Sequence, residues 1–208
     1  MNTALQNDLL NCLKLIDPNW KIQDNKSDKD TNFIYKCNTL KECLDTISKK
    51  GADKQYALHR WYNYMTSIEC ENLFCTYGAV HEQDKCNHDV DIYINNIPFD
   101  VKVTVYPAKL SNRSYDLKTR SGKDEMIRWF YANQSQGARK QMVNRLYVVC
   151  DGTDQAECLK MKSDFSVLEA EISAFMNDAL NSGVNQIQIT DEGNVHNLLS
   201  DIIYISYN

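Results

Sequence analysis

The stretch DVDIYINNIPFDVKVTVYP, residues 89 to 107, constrains the fold more than any other part of this chain. Val90, Ile92 and Ile94 alternate with Asp91, Tyr93 and Asn95. Val101, Val103 and Val105 alternate with Asp100, Lys102 and Thr104. Period-two alternation predicts two strands, each with one face in a core. Asn95-Asn96 between them suits a two-residue hairpin turn, because Asn tolerates positive φ. That turn sets Ile94 against Ile97, Tyr93 against Pro98 and Ile92 against Phe99. Pro98 then falls at a non-hydrogen-bonded position, where its missing N–H costs nothing. Continuing the register, Asp91 faces Asp100, with Cβ atoms about 4.5–5.5 Å apart. Two carboxylates facing each other are destabilising, and a bound divalent cation is the simplest way to offset them. The other reading is a surface ion pair of Asp100 with Lys102, and a solvated Asp91.

Before this hairpin, Asp53 to Cys75 carries Leu58, Trp61, Met65, Ile68 and Asn72 at helical spacing. With Met65 at the centre of the stripe, Glu69 falls at about +40°, inside it, and Glu71 at about −120°, outside it. Glu69 therefore needs a cation, proton or metal, while Glu71 is expected to meet water. Further helices are expected over Ala4 to Ile16, Leu40 to Ser48 and Phe165 to Leu180. Asp124 to Arg145 reads as one long helix, kinked at Gly137. Strands are expected at Phe33 to Tyr35, Leu146 to Cys150, Gln186 to Thr190 and Ile202 to Ser206, and a polar loop at Gln23 to Thr31. The sum is an α/β fold with a central mixed β-sheet flanked by helices.

With 208 residues and few Gly (7) or Pro (3), one domain of mostly regular structure is expected. It divides into a helical elaboration at 1–51, a core at 52–150 and a C-terminal helix and strands at 151–208. No apolar run reaches the roughly 20 residues of a membrane helix, and the N-terminus does not read as a signal peptide. The eight Cys are therefore expected to be reduced thiols in a cytoplasmic protein.

At this point the residues resemble a known pattern. Asp91, then Asp100-Val101-Lys102 on an apolar strand, resembles the core of the PD-(D/E)XK nuclease superfamily, whose fold is restriction-endonuclease-like. Glu69 matches the acid that many members carry on the preceding helix, and the element order over about residues 55 to 150 also fits. Val90 stands where Pro is common. Gln134 has Ala138 in place of the Tyr of a Gln-x-x-x-Tyr helix, so no role transfers by that motif. The resemblance implies a Mg²⁺- or Mn²⁺-dependent nuclease acting on DNA, with RNA a further candidate. Asp91, Asp100 and the Val101 carbonyl would hold the metal. Lys102 would orient the attacking water, and Glu69 would bind a metal water or a second ion. Cutting both strands often calls for a homodimer.

A formal charge of −5, taken alone, argues against a nucleic-acid partner, but it averages unequal parts. Residues 102–145 hold ten Lys and Arg against three Asp and Glu, a net +7, while the rest of the chain is −12. Lys118, Arg120 and Lys123 are candidates for phosphate contacts, and Gln134, Gln136 and Arg139 for nucleic-acid contacts from the helix that follows. A solvated basic face is the plainer reading of that helix. An inactive nucleic-acid-binding or regulatory protein of the same fold is the alternative function. A third is a zinc-bound interaction module on Cys70, Cys75, His81, Cys86 and His88, although these residues have no C-x-x-C pair.

Overall fold

The computed structural model describes residues 3–19, 23–84, 87, 89–110, 115–134 and 141–207. The chain opens with helices α1 (Thr3–Leu13), α2 (Asn25–Thr31), α3 (Leu40–Lys50) and the long α4 (Lys54–Thr76). Strands β1 (Val80–His81), β2 (Ile92–Ile94) and β3 (Ile97–Val105) follow, then α5 (Arg120–Asn133) and β4 (Arg145–Cys150). The C-terminal part comprises α6 (Gln155–Met161), α7 (Phe165–Ser182), β5 (Gln186–Asp191) and β6 (Asn194–Ile205). The strands form one mixed sheet in the order β1-β2-β3-β4-β6-β5. The β1–β2 and β2–β3 pairs are antiparallel, β3, β4 and β6 run parallel, and β5–β6 is a second hairpin.

The first hairpin has the expected register: Ile94 pairs with Ile97, Tyr93 with Pro98 and Ile92 with Phe99. Asn95 and Asn96 both take positive φ, 50° and 65°, as a two-residue turn that follows the strand twist requires. The β5–β6 turn uses the same device at Glu192 and Gly193. Both faces of the central strands are covered. Phe99, Val101, Leu146, Val148 and Ile203 join α4, α6 and α7 in the larger core. Tyr147, Val149 and Ile202 join Met126, Ile127 and Tyr131 of α5 in the smaller one. This double burial is why LYVVC is apolar throughout.

Helix α4 starts at Asp53, whose carboxylate accepts the Tyr56 N–H, and it is buried on several sides. Trp61 Nε1 donates to the Cys37 carbonyl at 2.8 Å, tying α4 to the N-terminal helices. Tyr62 Oη donates to the Leu159 carbonyl at 2.5 Å, tying it to α6. No described helix is long and apolar enough to cross a membrane.

Several expectations change. The segment at Phe33 to Tyr35 is a 3-10 turn rather than a strand. Much of Gln23 to Thr31 is helix, because Asp24 caps it by accepting from the Lys26 and Ser27 N–H groups. Helix α6, capped by Asp154, has no counterpart among the expected elements. The helix expected over Asp124 to Arg145 begins earlier, at Arg120, and ends at Asn133. Gly137 and Ala138 lie outside the described residues. Arg145 is the first residue of β4.

The start of α5 is tightly fitted. Thr119 caps it through the Gly122 N–H, and the Asp116–Thr119 turn folds back over it. A Cβ on Gly122 would lie 2.0 Å from the Asp116 carbonyl oxygen, an overlap that only backbone movement can relieve. Gly122→Ala is expected to cost about 1–3 kcal/mol. Urea denaturation checks this, and an unchanged midpoint would show that the turn yields freely.

Candidate active site

The site is built at the end of the first hairpin, where the ladder stops. Asp91 lies one residue before β2. Its N–H donates to the Phe99 carbonyl at 2.9 Å, and its own carbonyl accepts from the Glu82 N–H at 3.0 Å. The Asp91 carboxylate turns onto β3, where Oδ2 accepts the Val101 N–H at 2.7 Å. Asp91 thus leaves the regular pairing but keeps the Asp100 carboxylate as a neighbour. Burial chiefly pushes its carboxyl up to about 6; the Val101 hydrogen bond and the Lys102 charge oppose this, and Asp100 adds to it. A strand residue's N–H and C=O leave on the same side, so the Val101 carbonyl points to the edge that carries Asp91.

Asp100 is 3% exposed and is held from two directions. The Lys102 ammonium, two residues along the same face, meets Oδ1. The parallel register sets Arg145 opposite Asp100, and its Nε donates to Oδ2 at 2.6 Å. The two cations differ in freedom. Lys102 is half exposed, whereas Arg145 is 4% exposed and locked. Its guanidinium donates to Gln134 Oε1 at 2.5 Å and to Gln141 Oε1 at 3.2 Å, and lies 5.5 Å from the centre of the Tyr131 ring. Gln141 in turn donates to Asp89 Oδ1 at 2.7 Å.

On α4, Glu69 is buried, as its place in the apolar stripe leads one to expect, while Glu71 is half-buried. Glu71 lies within electrostatic reach of Asp91, Asp100 and Lys102. Its carboxyl is pushed up to about 7, first by burial and next by the Asp91 charge. Glu69 is 9% exposed and accepts from Asn72 Nδ2 at 3.2 Å, and Asn72 Oδ1 lies 3.1 Å from His81 Nε2. Two residues apart on a helix is about 200°, so the two acids leave α4 on opposite flanks.

The proposed nucleic-acid contacts separate into three groups. Gln134 is half-buried and accepts from the Arg145 guanidinium. Arg120 grips both oxygens of Asp201 at 2.8 and 2.9 Å and also pairs with Asp124, and burial pushes the Lys123 ammonium down. Lys118 is exposed and lines a cavity of about 570 Å³ with Asp151, Glu157 and Tyr207. Gln136 and Arg139 lie outside the described residues. So do Cys86 and His88 of the Cys/His segment. Cys70 is fully buried and its thiol is pushed well up, chiefly by burial, which disfavours the thiolate that zinc requires. Among the described residues no group of three or more His, Cys, Asp or Glu stands ready to hold a metal ion.

Arg145, Gln141 and Glu71 are site residues that the sequence alone did not single out. For Arg145 a signal existed: a cation heads a strand that is otherwise apolar on both faces, so it must be buried and needs a partner. Comparison with protein-family models, with curated proteins and with solved structures finds no match to this chain.

Proposed function

We propose that this protein is a metal-dependent nuclease of restriction-endonuclease-like fold that hydrolyses phosphodiester bonds in DNA. The observation that carries this reading is the meeting of Asp91, Asp100 and Lys102 at one end of a hairpin, with Glu71 in reach. The order α4, β1, β2, β3, α5, β4, with β4 parallel to β3, supports it as the core expected of that fold.

The residues fit a divalent cation. Mg²⁺ takes oxygen ligands, typically one or two carboxylates completed by water. Asp91, Asp100 and the Val101 carbonyl would hold it. When bound, it offsets phosphate charge and makes a water acidic enough to attack near neutral pH. Arg145 fixes the Asp100 carboxylate in one orientation, leaving Lys102 as the partner that can move. Released from Asp100, the Lys102 ammonium can orient the attacking water or stabilise the charge that develops on the phosphate. Glu71 titrates near neutrality, where a general base is most effective, and can accept the proton of that water.

One observation favours an inactive nucleic-acid-binding protein instead: both Asp100 oxygens already face cations. The two readings part in a cleavage assay on single- and double-stranded DNA with Mg²⁺ or Mn²⁺. The nuclease reading expects cleavage that Lys102→Ala removes while the protein stays folded. Absence of cleavage with every metal and both substrates leaves the binding reading. Protons and metal also compete for Asp91, so Mn²⁺ affinity should rise with pH through about 6. Calorimetric titration at pH 5.5 and pH 8 checks this, and equal affinities would remove Asp91 from the metal site.

A further inference from the structure

A cavity of about 440 Å³ opens beside Lys102 on the α5 face of the sheet. Its walls include Trp129 and Phe130 of α5, Tyr147 of β4, and Thr104, two residues beyond Lys102 on β3. Phe130 lies parallel to Tyr147, with ring centres 4.5 Å apart and planes 14° from parallel. Trp129 meets Phe130 edge-on at 5.6 Å. Trp129 and Phe130 are only half-buried, so the aromatic wall is open to a ligand. Tyr147 is 4% exposed, and its hydroxyl lies beside the Arg145 guanidinium, so it is the ring rather than the hydroxyl that forms part of the wall. Asn133, exposed at the end of α5, brings a side-chain amide to the rim.

We propose that this cavity is a nucleobase-binding subsite, and that the substrate presents an unpaired nucleotide there. The inference rests on the nuclease reading for its geometry. Lys102 belongs both to the carboxylate site and to the cavity, so a nucleotide whose phosphate meets Lys102 has its base beside Trp129 and Phe130. Aromatic rings stack on the face of any base, and the exposed Asn133 side chain can hydrogen-bond its edge. A base inside a duplex stack cannot reach such a cavity. The nucleotide must come from a single strand or be turned out of a duplex.

The test is binding in EDTA, where no cleavage occurs, using a single-stranded oligonucleotide and a blunt duplex, each carrying one 2-aminopurine. Trp129→Ala is expected to weaken binding of the preferred substrate about ten- to a hundredfold. Trp129→Phe, which keeps a ring, should restore most of it. The wild-type complex should change 2-aminopurine fluorescence, and the Trp129→Ala complex should not. Preference for the single strand assigns the base to single-stranded substrate; preference for the duplex, with the same Trp129 dependence, assigns it to an extruded base. Equal affinity of wild type and Trp129→Ala for both substrates, with unchanged fluorescence, overturns the subsite even if metal-dependent cleavage is present. Trp129-dependent binding without cleavage under any metal keeps the subsite and removes the nuclease reading.

Discussion

Asp91→Asn is expected to abolish cleavage and, at pH 8 in EDTA, to raise the melting temperature. Both effects have one cause. The folded protein lifts the Asp91 carboxyl from 3.8 to about 6, chiefly by burial. A carboxylic acid raised on folding loses its proton first in the unfolded chain. Stability therefore falls as pH rises from about 4 to about 6, and the full penalty is present above that range. Glu71 behaves alike between 4.5 and about 7. Asn is neutral at every pH and its side-chain oxygen can still accept the Val101 N–H. Removing the charge should therefore return roughly 1–3 kcal/mol at pH 8, since each tenfold change in proton affinity on folding corresponds to about 1.4 kcal/mol. For a chain of this length that is a rise of roughly 2–12 °C, at about 2–4 °C per kcal/mol. At pH 4 the gain should vanish, because Asp91 is then protonated in the folded protein. Cleavage should fall on the order of a thousandfold, the scale of losing a main electrostatic contributor. Glu71→Gln should show the same two signs. Melting curves at pH 4 and pH 8 alongside cleavage rates check the pair of effects; a lower melting temperature at pH 8 with activity retained would place Asp91 among ordinary structural carboxylates.

Arg145→Met is expected to be the most destabilising single change in the site. It leaves the buried Asp100 carboxylate with only the half-exposed Lys102, and removes the donor to the Gln134 and Gln141 side-chain oxygens. Breaking a buried ion pair from one side costs about 3–5 kcal/mol, much of it the uncompensated charge that remains. Arg145→Lys keeps a charge but not the fork that serves Asp100 and two glutamines together, so it should recover only part of the loss. The double variant Asp100→Asn/Arg145→Met removes both charges and should be more stable than Arg145→Met alone. Urea unfolding of the four proteins gives the ordering. If Arg145→Met unfolds at the wild-type midpoint, Asp100 is not held as described.

The parts of this fold that could be read from sequence depend on neighbours in the chain. The hairpin is the clearest example: period-two alternation defined its faces, and Asn95-Asn96 set a register that holds at all three β2–β3 pairs. The doubly covered strand LYVVC was legible for a similar reason, since no residue in it tolerates water. Elements set by capping rather than periodicity were harder. Helices α2 and α6 are seven residues each, too short to show a stripe, and begin where Asp24 and Asp154 accept backbone N–H groups. The C-terminal end of α5 was obscured because Gln134 to Arg145 continues a helix-like composition, and the demand that ends it comes from across the sheet: Arg145 must reach Asp100.

The candidate site divides in the same way. Asp91, Asp100 and Lys102 come from one hairpin, so local register sufficed to bring them together. Glu71 and Arg145 come from a helix and a strand far along the chain, and their places depend on how α4 and β4 pack on β3. Helical phase marked Glu69 as buried, which it is, but it carries no information on what Glu71 meets across the sheet, where Asp91 raises its carboxyl. The local charge of 102–145 needs the same refinement. Arg120 and Arg145 carry two of its ten positive charges, and both are committed to carboxylates of the fold itself. The basic segment therefore offers a nucleic acid less charge than its composition suggests.

The proposed function requires that Asp91 and Asp100 bind a divalent cation next to Lys102. A crystal soaked in Mn²⁺ at pH 8 and measured at the manganese absorption edge tests it most directly. An anomalous peak is expected between the Asp91 and Asp100 carboxylates, with Lys102 withdrawn from Asp100. Asp100 still paired with both Lys102 and Arg145 at saturating Mn²⁺, and no peak beside it, would rule this site out.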